Sequence, residues 1–106
     1  QYEYILFLRK GSGRKINNCG TSDILKVSNQ KHKYEDGENW HDTEKPVDLM
    51  EILINNSSNQ GELVLDPFMG VGSVPIAANK NNRGFIGIEI NKEYYQKSLE
   101  RVNSLN

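Results

Sequence analysis

The stretch Gly61-Glu-Leu-Val-Leu-Asp-Pro-Phe-Met-Gly-Val-Gly-Ser73 constrains this chain more than any other. Leu63, Val64 and Leu65 form a short apolar run. It ends in a carboxylate, Asp66, then Pro67, Phe68 and Met69, then two glycines, Gly70 and Gly72, that flank one residue. After Ser73 the pattern turns helical, through Val74-Pro-Ile-Ala-Ala78. A buried strand that stops at an acid, a Gly-x-Gly turn and a helix start together describe the mouth of a nucleotide pocket. Glycine lets the backbone approach a ligand closely, and the first turn of a helix leaves N–H groups without intrahelical acceptors. A glycine pair alone is weak evidence. Its neighbours decide.

The elements around this stretch follow from periodicity. Tyr2-Glu-Tyr-Ile-Leu-Phe-Leu-Arg9 is aromatic and β-branched and reads as a strand; Ile24-Leu-Lys-Val27 reads as a shorter one. Lys10-Gly-Ser-Gly-Arg-Lys15 is a basic turn with no helix pattern after it, so it is not read as a phosphate loop. Residues 28–40 are polar and aperiodic, a long surface loop. Pro46 suits the first position of a helix, in which Val47, Met50, Leu53 and Ile54 recur at helical spacing and which stops near 55–59. Leu63–Asp66 is a strand, Ser73 to about Asn81 a helix, and Asn81-Asn-Arg-Gly84 a turn. Gly84-Phe-Ile-Gly-Ile-Glu-Ile90 is a second buried strand that also ends in an acid, Glu89. A last helix spans Lys92 to Asn103, with Tyr95, Leu99 and Val102 as its core face and Tyr94 beside it. This order implies a right-handed parallel βαβ unit with both strand ends on one edge. Two regions result: residues 1–40, a hairpin strand with a basic and polar loop, and residues 41–106, the βαβ region.

Composition narrows the classes. At 106 residues with 36 % hydrophobic and 25 % charged, a core is possible but small. No apolar run reaches the ~20 residues of a membrane span and no signal peptide is visible, so no membrane partner is expected. One cysteine, Cys19, excludes an internal disulfide and fits a reducing compartment. One cysteine and two separated histidines, His32 and His41, do not make a closed metal site. From Arg9 to Lys33 there are seven basic residues against Asp23; from Glu35 to Glu51 there are seven acids against Lys45. The basic half can track phosphates or be a solvated loop; charge does not choose. The chain begins with Gln1 inside an apolar segment, which reads as a piece of a longer product.

Asp66 and Glu89 stand 23 positions apart, each ending its own strand. In a nucleotide-binding βαβ unit the acid ending the second strand accepts hydrogen bonds from the ribose hydroxyls. Asp66 then faces the amine end of an elongated ligand or orients the glycine turn. A dinucleotide fits poorly: its fingerprint carries a third glycine where Pro75 stands, and Asp66 would repel a diphosphate. A cationic ligand with an adenosine, S-adenosylmethionine, fits better.

Asp66-Pro-Phe-Met-Gly-Val-Gly-Ser73 resembles the S-adenosylmethionine motif of the amino-group DNA methyltransferases. His41-Asp-Thr-Glu-Lys-Pro46 resembles that family's His-x-Thr-Gln/Glu-Lys-Pro element, and Gly87-Ile-Glu-Ile-Asn-Lys-Glu-Tyr-Tyr95 its acidic ribose motif with the following helix. The motif order is that of the β-type class, and Tyr2–Lys10 resembles its late hairpin strand. The resemblance implies an α/β fold, Rossmann-like and incomplete, holding the C-terminal part of the sheet with flanking helices. It implies transfer of a methyl group from S-adenosylmethionine to the exocyclic amine of adenine (N6) in double-stranded DNA, with cytosine N4 as the alternative, in a bacterial or phage-type cytoplasm. By position, Asp66, Pro67, Phe68, Gly70, Gly72 and Ser73 line the cofactor pocket. Thr43 and Lys45 hold the methionine carboxylate, Glu89 takes the ribose, and Ile90 packs on adenine. Phe68 can equally be core, and Tyr94 and Tyr95 are read as core.

The family's catalytic Asp/Asn/Ser-Pro-Pro-Tyr/Phe motif has no counterpart, since the only prolines are Pro46, Pro67 and Pro75. In the β-type order it comes first, so no catalytic residue is expected here and the chain alone should be inactive. The Leu63–Asp66 strand should then carry an unpaired apolar edge. Completion by an absent N-terminal half, or by a swapped copy, is expected. A non-catalytic S-adenosylmethionine-binding remnant is the competing reading, and a nucleotide-binding oxidoreductase is disfavoured by Pro75 and the Lys-Pro element.

Overall fold

A computed structural model of the chain describes residues 3–28 and 44–105. Within them the order is α1 (Val47–Ser57), β1 (Leu63–Asp66), α2 (Ser73–Lys80), β2 (Gly84–Gly87) and α3 (Lys92–Asn103). The two strands pair in parallel, Leu63 opposite Gly84 through Asp66 opposite Gly87. This is the expected βαβ pattern, with β2 shorter than predicted and Glu89 in the loop beyond it.

Alternation along the strands sorts their side chains onto two faces. Val64 and Phe85 turn inward and pack with Val47, Met50 and Val74 around Ile54, Ala77 and Ala78. The two alanines are fully buried, which lets α2 lie close against both α1 and the sheet. On the opposite face Leu63, Leu65, Ile86 and Ile88 remain exposed. Parallel sheets ordinarily have both faces covered. Here one is bare.

The turns are fixed by specific partners. Gly61 just before β1 and Asn82 just before β2 adopt positive φ (84° and 60°), and Gly61 N–H donates to the Asn82 carbonyl at 2.8 Å. Arg83 is buried and donates to the Ser58 hydroxyl and carbonyl (3.0 and 2.7 Å) and to the Asn81 carbonyl (2.6 Å). It thereby satisfies the carboxyl end of α1. Asn17 does the same from outside, its side-chain amide donating to the Asn55 and Ser58 carbonyls at 2.9 and 2.7 Å. Part of the polar segment before residue 28 is thus a strap on α1, a role its composition did not reveal.

Three expectations are corrected. Residues 3–9 form no strand, and their side chains stand in solvent, Tyr4 and Leu6 almost completely. A strand exists only through a neighbour's hydrogen bonds, and among the described residues none runs beside this segment. The short strand over Ile24–Val27 is absent for the same reason. Tyr95 and Leu99 do not lie on the core face of α3, both being exposed; Val102 is half-buried as expected, and the inward face otherwise carries Tyr94, Lys97, Ser98 and Arg101. The loop expected after Ser28 and the residues up to Thr43 lie outside the described residues, as does Tyr2.

Glu51 of α1 and Lys80 of α2 form an ion pair at 2.8 Å. Lys80 holds the Glu51 carboxyl below its ordinary value of 4.5, with burial opposing. A depressed folded value means that this stabilisation is complete above pH 4.5 and is lost as the pH falls through the folded value. Glu51→Gln is therefore expected to lower stability at neutral pH and to make little difference at the acid end. Paired urea titrations at pH 7 and pH 3 measure this, and an equal loss at both would refute the assignment.

Candidate cofactor site

Parallel pairing in register brings the carboxyl ends of β1 and β2 side by side. Two backbone bonds then stitch the loops beyond them together. Ile88 N–H donates to the Asp66 carbonyl and Met69 N–H to the Ile88 carbonyl, both at 2.9 Å. Asp66 and Glu89, 23 residues apart in sequence, share one edge of the molecule as expected.

The acids divide the work of shaping the turn. Asp66 Oδ1 accepts the Phe68 N–H at 3.1 Å, a local Asx turn. Glu89 reaches across from the loop beyond β2: Oε1 accepts the Gly70 N–H at 3.0 Å and Oε2 the Asn91 N–H at 2.8 Å. Glu89, not Asp66, therefore braces the first glycine. Each carboxylate oxygen offers two lone pairs, so both acids retain capacity for a ligand's hydroxyls or amine.

Gly70 and Gly72 both have positive φ (55° and 90°). A Cβ on Gly72 would lie 2.9 Å from Ser98 Cβ and 3.3 Å from its Cα. Gly72 thus admits α3 beneath the turn, rather than only a ligand above it, and Ser73 is buried with it. Of the residues expected in the pocket, Asp66, Pro67, Phe68, Gly70, Glu89 and Ile90 gather at this edge, while Gly72 and Ser73 form its floor. Phe68 and Ile90 are 89 % and 99 % exposed, so neither packs into the core formed by the described residues.

Lys45 lies 2.7 Å from Glu3, both side chains being well exposed. The anion beside this lysine in the structure is a carboxylate of the N-terminal segment. Thr43 lies outside the described residues.

Two residues of this neighbourhood escaped the sequence reading. Glu44 and Arg101 form an ion pair at 3.1 Å with side chains 3 % and 8 % exposed, and Arg101 Nη1 also donates to the Val71 carbonyl at 2.7 Å. Burial pulls the Arg101 guanidinium below its ordinary value, with Glu44 opposing. Charged residues in an amphipathic helix are read as its wet face; the available signal was spacing, since Tyr94, Ser98 and Arg101 fall on one helical stripe.

A model of the DNA methylases of the N6/N4 type matches residues 1–100. The chain belongs to this DNA methylase family. It is 40 % identical over 93 residues to the type II methyltransferase M.HpaI of Haemophilus parainfluenzae, covering 86 % of this chain and 30 % of that one. It is 46 % identical over 63 residues to the DNA adenine methyltransferase YhdJ of Escherichia coli K12, covering 59 % and 21 %. Among solved structures, the M1.HpyAVI–SAM complex is 44 % identical, with a TM-score of 0.54 over 56 % of this chain and 31 % of that one. The cytosine-N4-specific PvuII DNA methyltransferase shares the fold, with a TM-score of 0.71 over 90 % of this methylase chain and 42 % of its own, at 20 % identity. The methylase chain thus spans about a third or less of the curated relatives described. Among the described residues no helix is long and apolar enough to cross a membrane, and no cluster of metal-ligating side chains occurs.

Proposed function

We propose that this chain is the cofactor-binding part of a DNA methyltransferase that uses S-adenosylmethionine and acts on the exocyclic amine of adenine. The observation that carries the cofactor reading is the edge where Asp66, Glu89 and the Gly70–Gly72 turn meet between two uncovered apolar side chains. The donor set suits the molecule: carboxylates for an amine and ribose hydroxyls, and Phe68 and Ile90 as walls for a flat base. The SAM complex of M1.HpyAVI supports the same ligand. Bound there, S-adenosylmethionine supplies an electrophilic methyl group; this chain's residues bind and orient it.

Lys45 is the natural partner for the ligand's carboxylate, and Thr43 the next candidate. The Glu3 contact competes for Lys45 only weakly, because exposed ion pairs contribute about 0–1 kcal/mol. Glu3→Gln should accordingly tighten binding about 2- to 5-fold by releasing the lysine. Calorimetric titration of both proteins decides this, and unchanged or weaker binding would count against Lys45.

The adenine assignment rests on similarity to YhdJ; N4 of cytosine is the alternative within the family. Mass spectrometry of DNA from cells carrying the intact gene tests it, with N6-methyladenine expected and N4-methylcytosine overturning it. Such an enzyme, of bacterial or phage type, works in the bacterial cytoplasm, where its double-stranded substrate is.

Catalysis requires more than this chain. No Pro-Pro motif is present in the sequence, and one face of the sheet is bare. We infer that a further segment, either an N-terminal half or a swapped copy, covers Leu63, Leu65, Ile86 and Ile88 and brings the catalytic residues. The 106-residue chain should bind S-adenosylmethionine weakly and transfer no methyl group to duplex DNA. Turnover by the isolated monomer would overturn this.

A further inference from the structure

The buried side chains of Glu44 and Arg101 join three segments that are far apart in sequence. Glu44 precedes Lys45 in the Lys-Pro element, Val71 is the middle residue of the glycine turn, and Arg101 stands in the last helix. One guanidinium nitrogen touches both of the others, at 3.1 Å to Glu44 Oε1 and 2.7 Å to the Val71 carbonyl. The same helix seats Ser98 against Gly72. The turn is therefore held from below by α3 and from the side by Glu89.

We propose that Arg101 is a positioning residue that locks the Gly70–Gly72 turn to the segment carrying Lys45, so that the two halves of the cofactor site keep a fixed separation. A ligand gripped at one end by a lysine and at the other by carboxylates needs that separation set before it arrives, since a loose site spends binding energy on ordering itself. Arginine suits the position because one terminal nitrogen carries two N–H donors, one for the carboxylate and one for the carbonyl, on a guanidinium that keeps its charge when buried. The proposal rests on the cofactor reading above.

The test uses a double variant, Glu44→Met with Arg101→Met, because removing both charges avoids leaving one buried without its counter-ion. Helical circular dichroism should stay close to that of the parent chain, and the thermal midpoint should fall by less than in Arg101→Met alone, since only the Val71 carbonyl is left without its donor. Amide exchange at Val71 and Gly72 should quicken about tenfold while β1 and β2 keep their protection. Affinity for S-adenosylmethionine should fall about tenfold. Arg101→Lys should recover part of both losses. Unchanged exchange at the turn, or loss of protection spread evenly through β1 and β2, would overturn the proposal. If the turn loosens selectively but neither protein binds S-adenosylmethionine, the lock stands and the cofactor reading falls. If the parent binds and the double variant binds equally well, the lock has no role in the site.

Discussion

Arg101→Met alone is expected to destabilise the fold by about 3–5 kcal/mol, the usual cost of removing one member of a buried ion pair. The change leaves the Glu44 carboxylate inside the protein without its guanidinium, and it deprives the Val71 carbonyl of a donor at 2.7 Å. A buried acceptor that loses its donor costs about 1–3 kcal/mol by itself. For a domain whose whole stability is about 5–15 kcal/mol, such a loss is a large fraction. Urea unfolding followed by circular dichroism measures it. The contrast with the double variant is the diagnostic part: exchanging both charges for methionine should restore most of the lost stability. A loss under about 1 kcal/mol in the single variant would mean that water or another group replaces the guanidinium at little cost.

Gly72→Ala should be the second most damaging change, at about 2–4 kcal/mol, because strain and collision add. At φ 90° an L-residue is disfavoured, and its Cβ would meet Ser98 at 2.9 Å with the Ser98 backbone close behind. Relief needs a shift of α3, which Arg101 resists. Gly61 provides the comparison, since it has a similar φ of 84° but nothing within 4 Å of an added Cβ. Gly61→Ala should therefore cost only the backbone term, about 1 kcal/mol. Combining Gly72→Ala with Ser98→Gly should recover the steric part and leave the strain. Thermal midpoints of the four proteins separate the two contributions, and equal losses for Gly61 and Gly72 would show that the Ser98 contact is soft.

The central architecture was legible because its signals are local. Apolar runs bounded by Gly61 and Asn82–Gly84 marked β1 and β2, Pro46 marked the start of α1, and the glycine turn marked the start of α2. The acids at the strand ends could be placed together because parallel pairing leaves them no other arrangement. What escaped depended on partners distant in sequence. The segment 3–9 has a strand's composition, but composition does not provide a neighbour to bond with. On α3, hydrophobicity pointed to Tyr95 and Leu99, whereas close packing at Gly72 demanded a residue as small as Ser98. That choice turned Arg101 inward, where Glu44 meets it. Gly72 was legible as a required glycine, but for the ligand above it rather than for the helix below.

The uncovered face of the two-stranded sheet has a consequence for how such a chain comes into being. α1 packs on α2, β1 on β2 and α2 on α3, each pair only one element apart in sequence, and closure over such short stretches is quick. The nucleus therefore forms with Leu63, Leu65, Ile86 and Ile88 already lined up on its outside. Until another layer arrives, that row is free to meet the same row on another newly made chain, as exposed apolar surface does during folding. The covering segment proposed above would then act as a chaperone for this row as well as a part of the fold. Its arrival time, set against the concentration of nascent chains, determines how much protein survives to bind a cofactor.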